Sequence, residues 1–264
     1  MHRARHRGRQ LLRGVASCQG IGEDHAAPRE GFRPRAVQGR VIRVLVVTAV
    51  ELEARALARQ LGLARVGGPD WPHFHGGALE LVCAGPRAAH LSLRALGVAP
   101  GTIVISAGVC GALSPDLAEG DLVVPEAVVS PGSGRRATAA LPPLRRAGTL
   151  VTVDAVVATA EAKTRLWIET GALACDMESA PILEWAAARG LAGGVVRAVS
   201  DSASRGVPAD LAAVVEPDGR VRTARAVRVV LSRPRAIADA MALRSATTAA
   251  LKSVAAALAK LARG

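Results

Sequence analysis

Short apolar runs alternate with helical segments from residue 41 onward, and this alternation constrains the fold more than any other feature. "VIRVLVVTAV" (41–50) is an almost continuous β-branched run, which is typical of a strand buried on both faces. "ELEARALARQLGL" follows at helical spacing. Strands that alternate with helices favour a sheet covered on both faces. We therefore predict an α/β fold, a three-layer αβα sandwich around a twisted mixed sheet with largely parallel strands.

The same patterns place the other elements. Further strands are predicted within 73–85 (a hairpin arm and a strand), 101–113, 120–130, 150–157, 173–179 and 193–201. Further helices are predicted over 87–98, 160–172 and 180–191, and the Ala/Leu periodicity from about Pro234 predicts a long amphipathic C-terminal helix. The connection 131–149 is rich in Gly, Pro and Arg, so we expect it to pack little.

Charge divides the chain unevenly. Residues 1–40 hold nine Arg against three acids, which is +6 of the formal +12. We predict that 1–40 are a disordered basic tail, or a stretch upstream of the true start, and that 41–264 form one domain. The alternative is a tail that contacts nucleic acid or an anionic lipid surface. "LLRGVA" is broken by Arg13, so no signal peptide is expected, and no apolar run is long enough to predict a spanning helix.

Residue usage argues against several classes of site. The four cysteines lack CxxC spacing, which favours buried thiols in a reducing cytoplasm. His73 and His75 share one face of a strand without a third His or Cys ligand, so we expect no metal and no cofactor. With no Tyr and two Phe, the folded part offers few stacking platforms for single-stranded nucleic acid.

Acidic and small residues follow four of the predicted strands. The motifs are "TAVELE" (48–53), "SAGVCGAL" (106–113), "DMES" (176–179) and "SD" (200–201). In sheets of this kind ligands bind at the carboxyl ends of strands. Each acid has an alternative role as a helix cap. Three acids in equivalent places, Glu53, Glu178 and Asp201, nevertheless favour a shared site.

In this order, the four motifs resemble those of the nucleoside phosphorylase and nucleosidase family, which includes the methylthioadenosine/S-adenosylhomocysteine nucleosidases. The resemblance covers residues 41 to about 204. It implies that Glu53 positions an attacking water and that Asp201, beside Ser200, is the acid at the purine. It also implies that Glu178 binds the ribose hydroxyls over Met177. The remaining implied substrate contacts are Val109, Cys110 and Gly111, with Val157 where many members carry an aromatic residue that stacks on the base.

A looser resemblance points to one subgroup of this family. "AEAKTRLWIETGALACDMES" (160–179) and the C-terminal extension resemble hopanoid-associated phosphorylases, which are implied to be adenosylhopane nucleosidases. The shortened segment 131–149 departs from the family pattern and puts one wall of the site in question. No arginine follows the first strand in the manner of the phosphorylases, although Arg87 lies near a loop that could bind phosphate.

The resulting expectation is hydrolysis of the N-glycosidic bond of a 5′-substituted adenosine in the cytoplasm, with release of adenine. The alternatives are a purine nucleoside phosphorylase or a methylthioadenosine/S-adenosylhomocysteine nucleosidase and, in another class, a non-catalytic relative that binds nucleosides or nucleic acid. We expect a homo-oligomer, with a dimer as the first hypothesis. Contact with a membrane surface through the C-terminal helix is the weaker alternative to ordinary packing of that helix.

Overall fold

The computed structural model describes residues 43–66, 71–95, 97–206 and 234–263. The predicted tail over 1–40 therefore lies outside the described residues, as do Cys18 and most of the extension between the last strand and the C-terminal helix. No helix in the described ranges is both long enough and apolar enough to cross a membrane.

The described chain contains eleven strands and five α-helices. The strands are β1 (Val44–Thr48), β2 (Ala64–Arg65), β3 (His73–Gly76), β4 (Leu79–Cys83), β5 (Ile103–Ala112), β6 (Leu122–Val123), β7 (Ala127–Ser130), β8 (Gly134–Ala137), β9 (Thr149–Thr152), β10 (Ala174–Asp176) and β11 (Ala192–Asp201). The helices are α1 (Glu51–Leu61), α2 (Leu91–Arg94), α3 (Ala160–Thr170), α4 (Ser179–Ala187) and α5 (Pro234–Arg263).

All eleven strands belong to one mixed sheet. Its main order is β2-β3-β4-β1-β5-β10-β9-β7-β8, and β11 pairs with both β5 and β6. Parallel pairs join β1 to β4 and β5, β5 to β11, and β9 to β7 and β10. The hairpins and the pairs β5–β10 and β6–β11 are antiparallel. The predicted mixed sheet is thus confirmed, with more antiparallel pairing than a largely parallel sheet would have.

Helices cover both faces of the sheet. Successive residues of β1 point to opposite faces, so Val44 and Val46 join the cluster under α1 and α5, whereas Leu45 and Val47 join the cluster under α2 and α4. Both clusters are almost fully buried. The predicted three-layer αβα arrangement is therefore confirmed, and the periodicity of β1 explains it.

The long central strand β5 changes partners along one edge. Its first part pairs with β1 from Ile103 to Ser106, whereas its end pairs with β10 at Gly111 and Ala112. Its other edge follows β11 throughout. Between the two partners the backbone passes through Gly108, whose φ of 152° is one that other residues rarely adopt. The divergence of β1 and β10 leaves the gap in which the candidate site lies.

Two predicted segments differ from the structure. The helix predicted over 87–98 is only a 3-10 turn at Pro86–Ala88 followed by the four-residue α2, because Arg87 and Ala88 adopt left-handed φ values of 53° and 55°. The connection 131–149 packs, contrary to expectation. It forms β8 against β7, and Leu141, 3% exposed, lies so close to Gly194 that a Cβ there would be 2.8 Å from Leu141 Cδ1.

Candidate active site

A cavity of about 250 Å³ lies where β5, β10 and β11 end. Every predicted substrate contact lines it, namely Val109, Cys110, Gly111, Val157, Met177, Glu178 and Ser200, together with Asp201. The rest of its wall comes from the loop after β9 (Val153, Ala155 and Val156), from Cys175 and Asp176, from Lys163 of α3 and from Thr247 of α5. Residues of this loop and Val157 thus form one wall of the cavity, and no residue of segment 131–149 lines it.

Glu53 lies beside the cavity. Its Oε1 accepts a hydrogen bond of 3.0 Å from the backbone N–H of Val109, and its Oε2 accepts one of 3.3 Å from Val50 at the start of α1. Glu53 thus contacts the site and also caps its helix. Burial raises the pKa of this carboxyl, and the positive charge of Arg197 opposes that rise. A Cβ on Gly108 would be 2.6 Å from Glu53 Oε1, so a glycine is required there.

Arg197 is the buried cation of this region, and the sequence interpretation missed it. Its guanidinium donates to Ser106 Oγ over 2.8 Å and to the carbonyl of Val109 over 3.2 Å. It also forms ion pairs with Asp176 over 2.8 Å and with Glu178 over 3.6 Å. The side chain is 1% exposed. An arginine in the middle of the apolar strand "GGVVRAVSD" was the available signal, because a charge buried in a sheet requires partners.

The two carboxylates of "DMES" have different surroundings. Asp176 accepts hydrogen bonds from the backbone N–H and hydroxyl of Ser179 at the start of α4 and from Thr152, and it forms an ion pair with Arg197. Among the described residues, Glu178 Oε1 accepts a single, longer bond of 3.3 Å from the backbone N–H of Arg87. Burial raises the pKa of Glu178 to about 7, against the attraction of Arg197. Asp176 is therefore committed to the fold, whereas Glu178 retains acceptor capacity toward the cavity.

Asp201 is bound from both sides. Its Oδ1 accepts from the hydroxyl of Ser200 over 2.7 Å, and its Oδ2 accepts from the Lys163 ammonium over 2.5 Å. A Cβ on Gly111 would be 2.9 Å from Oδ2, so only glycine permits this approach. Lys163 occupies a position on the face of α3 that also carries Leu166 and Trp167, which pack on the adjacent core cluster. Its role could not be read from the helical pattern.

Two thiols line the cavity, those of Cys110 and Cys175. Cys110 and Cys175 are buried and free, as is Cys83, and burial raises the pKa of each, that of Cys175 to about 12. They are neutral thiols rather than nucleophiles at neutral pH. Within the described ranges, no group of three or more His, Cys, Asp and Glu side chains has the arrangement of a metal site. His73 instead forms a 2.8 Å contact with Glu80.

Solved structures with the same fold include several nucleosidases. The chain is similar to 5′-methylthioadenosine nucleosidase of Arabidopsis thaliana, with 20% identity, a TM-score of 0.60, and 83% of this chain and 95% of that one covered. It is also similar to futalosine hydrolase of Helicobacter pylori, with 17% identity, a TM-score of 0.61, and 84% of this chain and 97% of that one covered. A third similar structure is 5′-methylthioadenosine/S-adenosyl homocysteine nucleosidase of Helicobacter pylori, with 18% identity, a TM-score of 0.62, and 85% of this chain and 98% of that one covered. At these identities the similarity establishes the fold. No curated protein sequence matches the chain.

The family is established by sequence. The family model described as "Phosphorylase superfamily" matches residues 43–144 and 133–232, which together include every residue assigned to the site except Thr247 of α5. The match covers well over half of the chain. This protein is therefore a member of the phosphorylase superfamily.

Proposed function

We propose that this protein is a nucleosidase that hydrolyses the N-glycosidic bond of a 5′-substituted adenosine and releases adenine. The observation that carries the proposal is the placement of three acids around one cavity. Asp201 and Glu178 line it, and Glu53 binds the backbone of Val109 in its wall. Cleavage of such a bond places positive charge on the sugar and negative charge on the departing base, so acids on both sides of the sugar suit the reaction.

At the base, Asp201 is the proposed contact of the purine. It is 7% exposed, and two of its roughly four acceptor positions are taken by Ser200 and Lys163. A remaining position can accept from a 6-amino group. The leaving base takes up a proton at N7, and that proton reaches it through Asp201. Such assistance is typically worth about 10² to 10⁴ in rate.

At the sugar, Glu178 is the proposed ligand of the ribose hydroxyls and Met177 the surface beneath the ring. Both line the cavity. The carboxylate form of Glu178 would make charge-assisted hydrogen bonds to the hydroxyls. Its pKa of about 7 means that this form becomes dominant only as the pH rises through neutrality.

Glu53 is the proposed general base. Water attacks C1′, the bond from C1′ to the purine breaks with its electron pair going to the base, and Glu53 accepts a proton from the water. Its raised pKa makes Glu53 a better proton acceptor than an exposed carboxylate. The 3.0 Å bond from Val109 fixes one of its oxygens against the wall of the cavity.

Water is the proposed nucleophile because no described residue that lines the cavity has a cationic side chain free to bind phosphate. Among the described residues that line it, Lys163 is the one cationic side chain, and all three of its donors are used by protein acceptors. Arg197 is engaged by carboxylates, and the Arg87 side chain is exposed.

For the 5′ substituent we propose a bulky apolar group, with adenosylhopane as the specific hypothesis from the sequence resemblance. The supporting observation is the aliphatic lining that Val153, Ala155 and Val156 add beside Val157, the predicted contact of the base. A short thioether, as in methylthioadenosine, is the alternative that the same wall could accommodate.

The test is adenine release by the purified protein from methylthioadenosine, S-adenosylhomocysteine and a lipid-substituted adenosine, each with and without phosphate. We expect release without phosphate, and a loss of about 10² or more in kcat for Glu53→Gln and for Asp201→Asn. Glu51→Gln, on the same helix as Glu53, and Glu169→Gln, at an exposed position of α3, are the matched controls and should retain activity. Full activity in both site variants, or strict dependence on phosphate, would contradict the proposal.

A further inference from the structure

A buried lysine, Lys163, forms an ion pair with Asp201, the proposed contact of the purine base. Lys163 is 1% exposed, and its Nζ donates to Asp201 Oδ2 over 2.5 Å, to the carbonyl of Ser202 over 2.8 Å and to the carbonyl of Arg205 over 2.9 Å. An ammonium has three donors, and here each has an acceptor. The ion pair thus connects α3 to the end of β11 and to the loop that follows it.

The charge of this lysine decides what Asp201 offers to a ligand. As the anionic member of an ion pair, the Asp201 carboxylate can only accept hydrogen bonds, and Ser200 adds a further donor to it. A buried carboxylate without a cation takes up a proton more readily, and it then presents an O–H donor as well. Lys163 therefore controls the hydrogen-bond character of the group that faces the base.

We propose that Lys163 is a positioning residue that sets the base preference of this site, because its ammonium holds Asp201 as an acceptor and so selects a purine with a 6-amino donor. A 6-oxopurine presents an acceptor at the same place and would leave two acceptors facing each other. This inference rests on the proposed function, in that it assumes that the purine contacts Asp201.

The same contact accounts for the proton that the leaving base requires. As the C1′–N9 bond breaks, Lys163 Nζ first gives a proton to the Asp201 carboxylate, and the resulting carboxylic acid then gives a proton to N7. The ion pair becomes a neutral amine beside the carboxylate. Lys163 then regains a proton from water admitted to the cavity after product release.

The experiment measures the affinities of adenine and hypoxanthine, by calorimetry, for the wild-type protein and its variants. The wild type should bind adenine more tightly. Lys163→Met should lower the ratio of adenine to hypoxanthine affinity by about tenfold or more, whereas Lys163→Arg should keep it within about threefold. Arg165→Met removes an exposed cation from the same helix and should leave the ratio unchanged.

Lys163→Gln is the second neutral variant, and it covers the case in which Lys163→Met does not fold. A purely structural lysine would lower both affinities together, so an unchanged ratio in the neutral variants overturns the inference. A wild-type preference for hypoxanthine also overturns it, whichever variants fold. The adenine-release assay separates the two proposals. If the protein binds the bases with the expected affinity ratios but does not cleave nucleosides, only the proposed function is contradicted. If the wild type neither binds adenine more tightly nor cleaves nucleosides, the proposed function and the role of Lys163 are both contradicted.

Discussion

Replacing Arg197 with Met tests whether the candidate site is held together by one buried cation. The guanidinium, 1% exposed, lies 2.8 Å from Asp176 and 3.6 Å from Glu178, and it also attracts Glu53. Methionine approximates the length of the side chain but supplies no charge and no donor. The substitution therefore leaves buried carboxylates without their counter-charge.

The burial of this ion pair sets the expected loss in the free energy of unfolding. Removing one partner of a buried ion pair typically costs about 3 to 5 kcal/mol. For a domain of this size each kcal/mol lowers Tm by about 2 to 4 °C, so the expected loss is about 6 to 20 °C. Arg55→Met is the matched control. It removes a cation from the pair with Glu51 on α1, where Arg55 is 56% exposed, and such surface pairs contribute about 0 to 1 kcal/mol.

The effect should depend on pH with a defined sign. Glu178 has a raised pKa of about 7 in the folded protein, so between its ordinary value of 4.5 and about 7 the folded state binds more protons than the unfolded state. Stability therefore falls as the pH rises through this window. Without Arg197 the pKa values of Glu178 and Glu53 rise further, so the difference from the wild type should be larger near pH 8 than near pH 5.

Urea unfolding followed by circular dichroism at several pH values measures both quantities. A difference between Arg197→Met and the wild type below about 1 kcal/mol near pH 8 would refute the reasoning, because removing one partner of a buried ion pair typically costs about 3 to 5 kcal/mol. A large difference that stays constant with pH would show that lost packing, rather than unpaired carboxylates, causes the instability.

Three further predictions concern single contacts. Gly111→Ala should lower kcat/KM by about 10², because its Cβ would be 2.9 Å from Asp201 Oδ2 and must displace that carboxylate, whereas Tm should change much less. The kcat/KM of the wild type should rise with pH through about 7 as Glu178 ionises, and Glu178→Gln should remove this limb of the pH profile. Thr152→Val should cost about 1 to 3 kcal/mol in urea unfolding, because Thr152 Oγ1 donates to Asp176 over 2.7 Å and accepts from the N–H of Ala180 over 3.0 Å. Unchanged kcat/KM in Gly111→Ala would contradict the first prediction, and a pH-independent kcat/KM of the wild type would contradict the second. An unchanged free energy of unfolding in Thr152→Val would contradict the third.

Local patterns in the sequence determined the layers of the fold. The alternation of Val44, Leu45, Val46 and Val47 between two cores follows from the two-residue period of a strand, so a continuous apolar run predicts helices on both faces. Helix α1 also begins and ends close to its predicted bounds. The same reasoning placed Glu53, Glu178 and Asp201 at strand ends, and ends of neighbouring strands converge in a sheet of this kind.

Residues whose roles depend on distant partners were not predictable in this way. Nothing in "AEAKTRLWIET" shows that Lys163 turns inward, because its partners at Asp201, Ser202 and Arg205 lie 38 to 42 residues away. The packing of Leu141 on Gly194 is similar, since a Pro- and Gly-rich segment acquires a buried position only from the strand it crosses. Burial of such groups is set by the assembled sheet rather than by any local period.

The sequence alone therefore determined an α/β sandwich with acids at the ends of its strands, because hydrophobic periodicity and strand polarity are local properties. Only the tertiary structure decided which charges meet: Arg197 among Asp176, Glu178 and Glu53, and Lys163 on Asp201. The physical reason is that a buried charge is tolerated only beside its partner, and the change of partners along β5 creates the gap in which those partners come together.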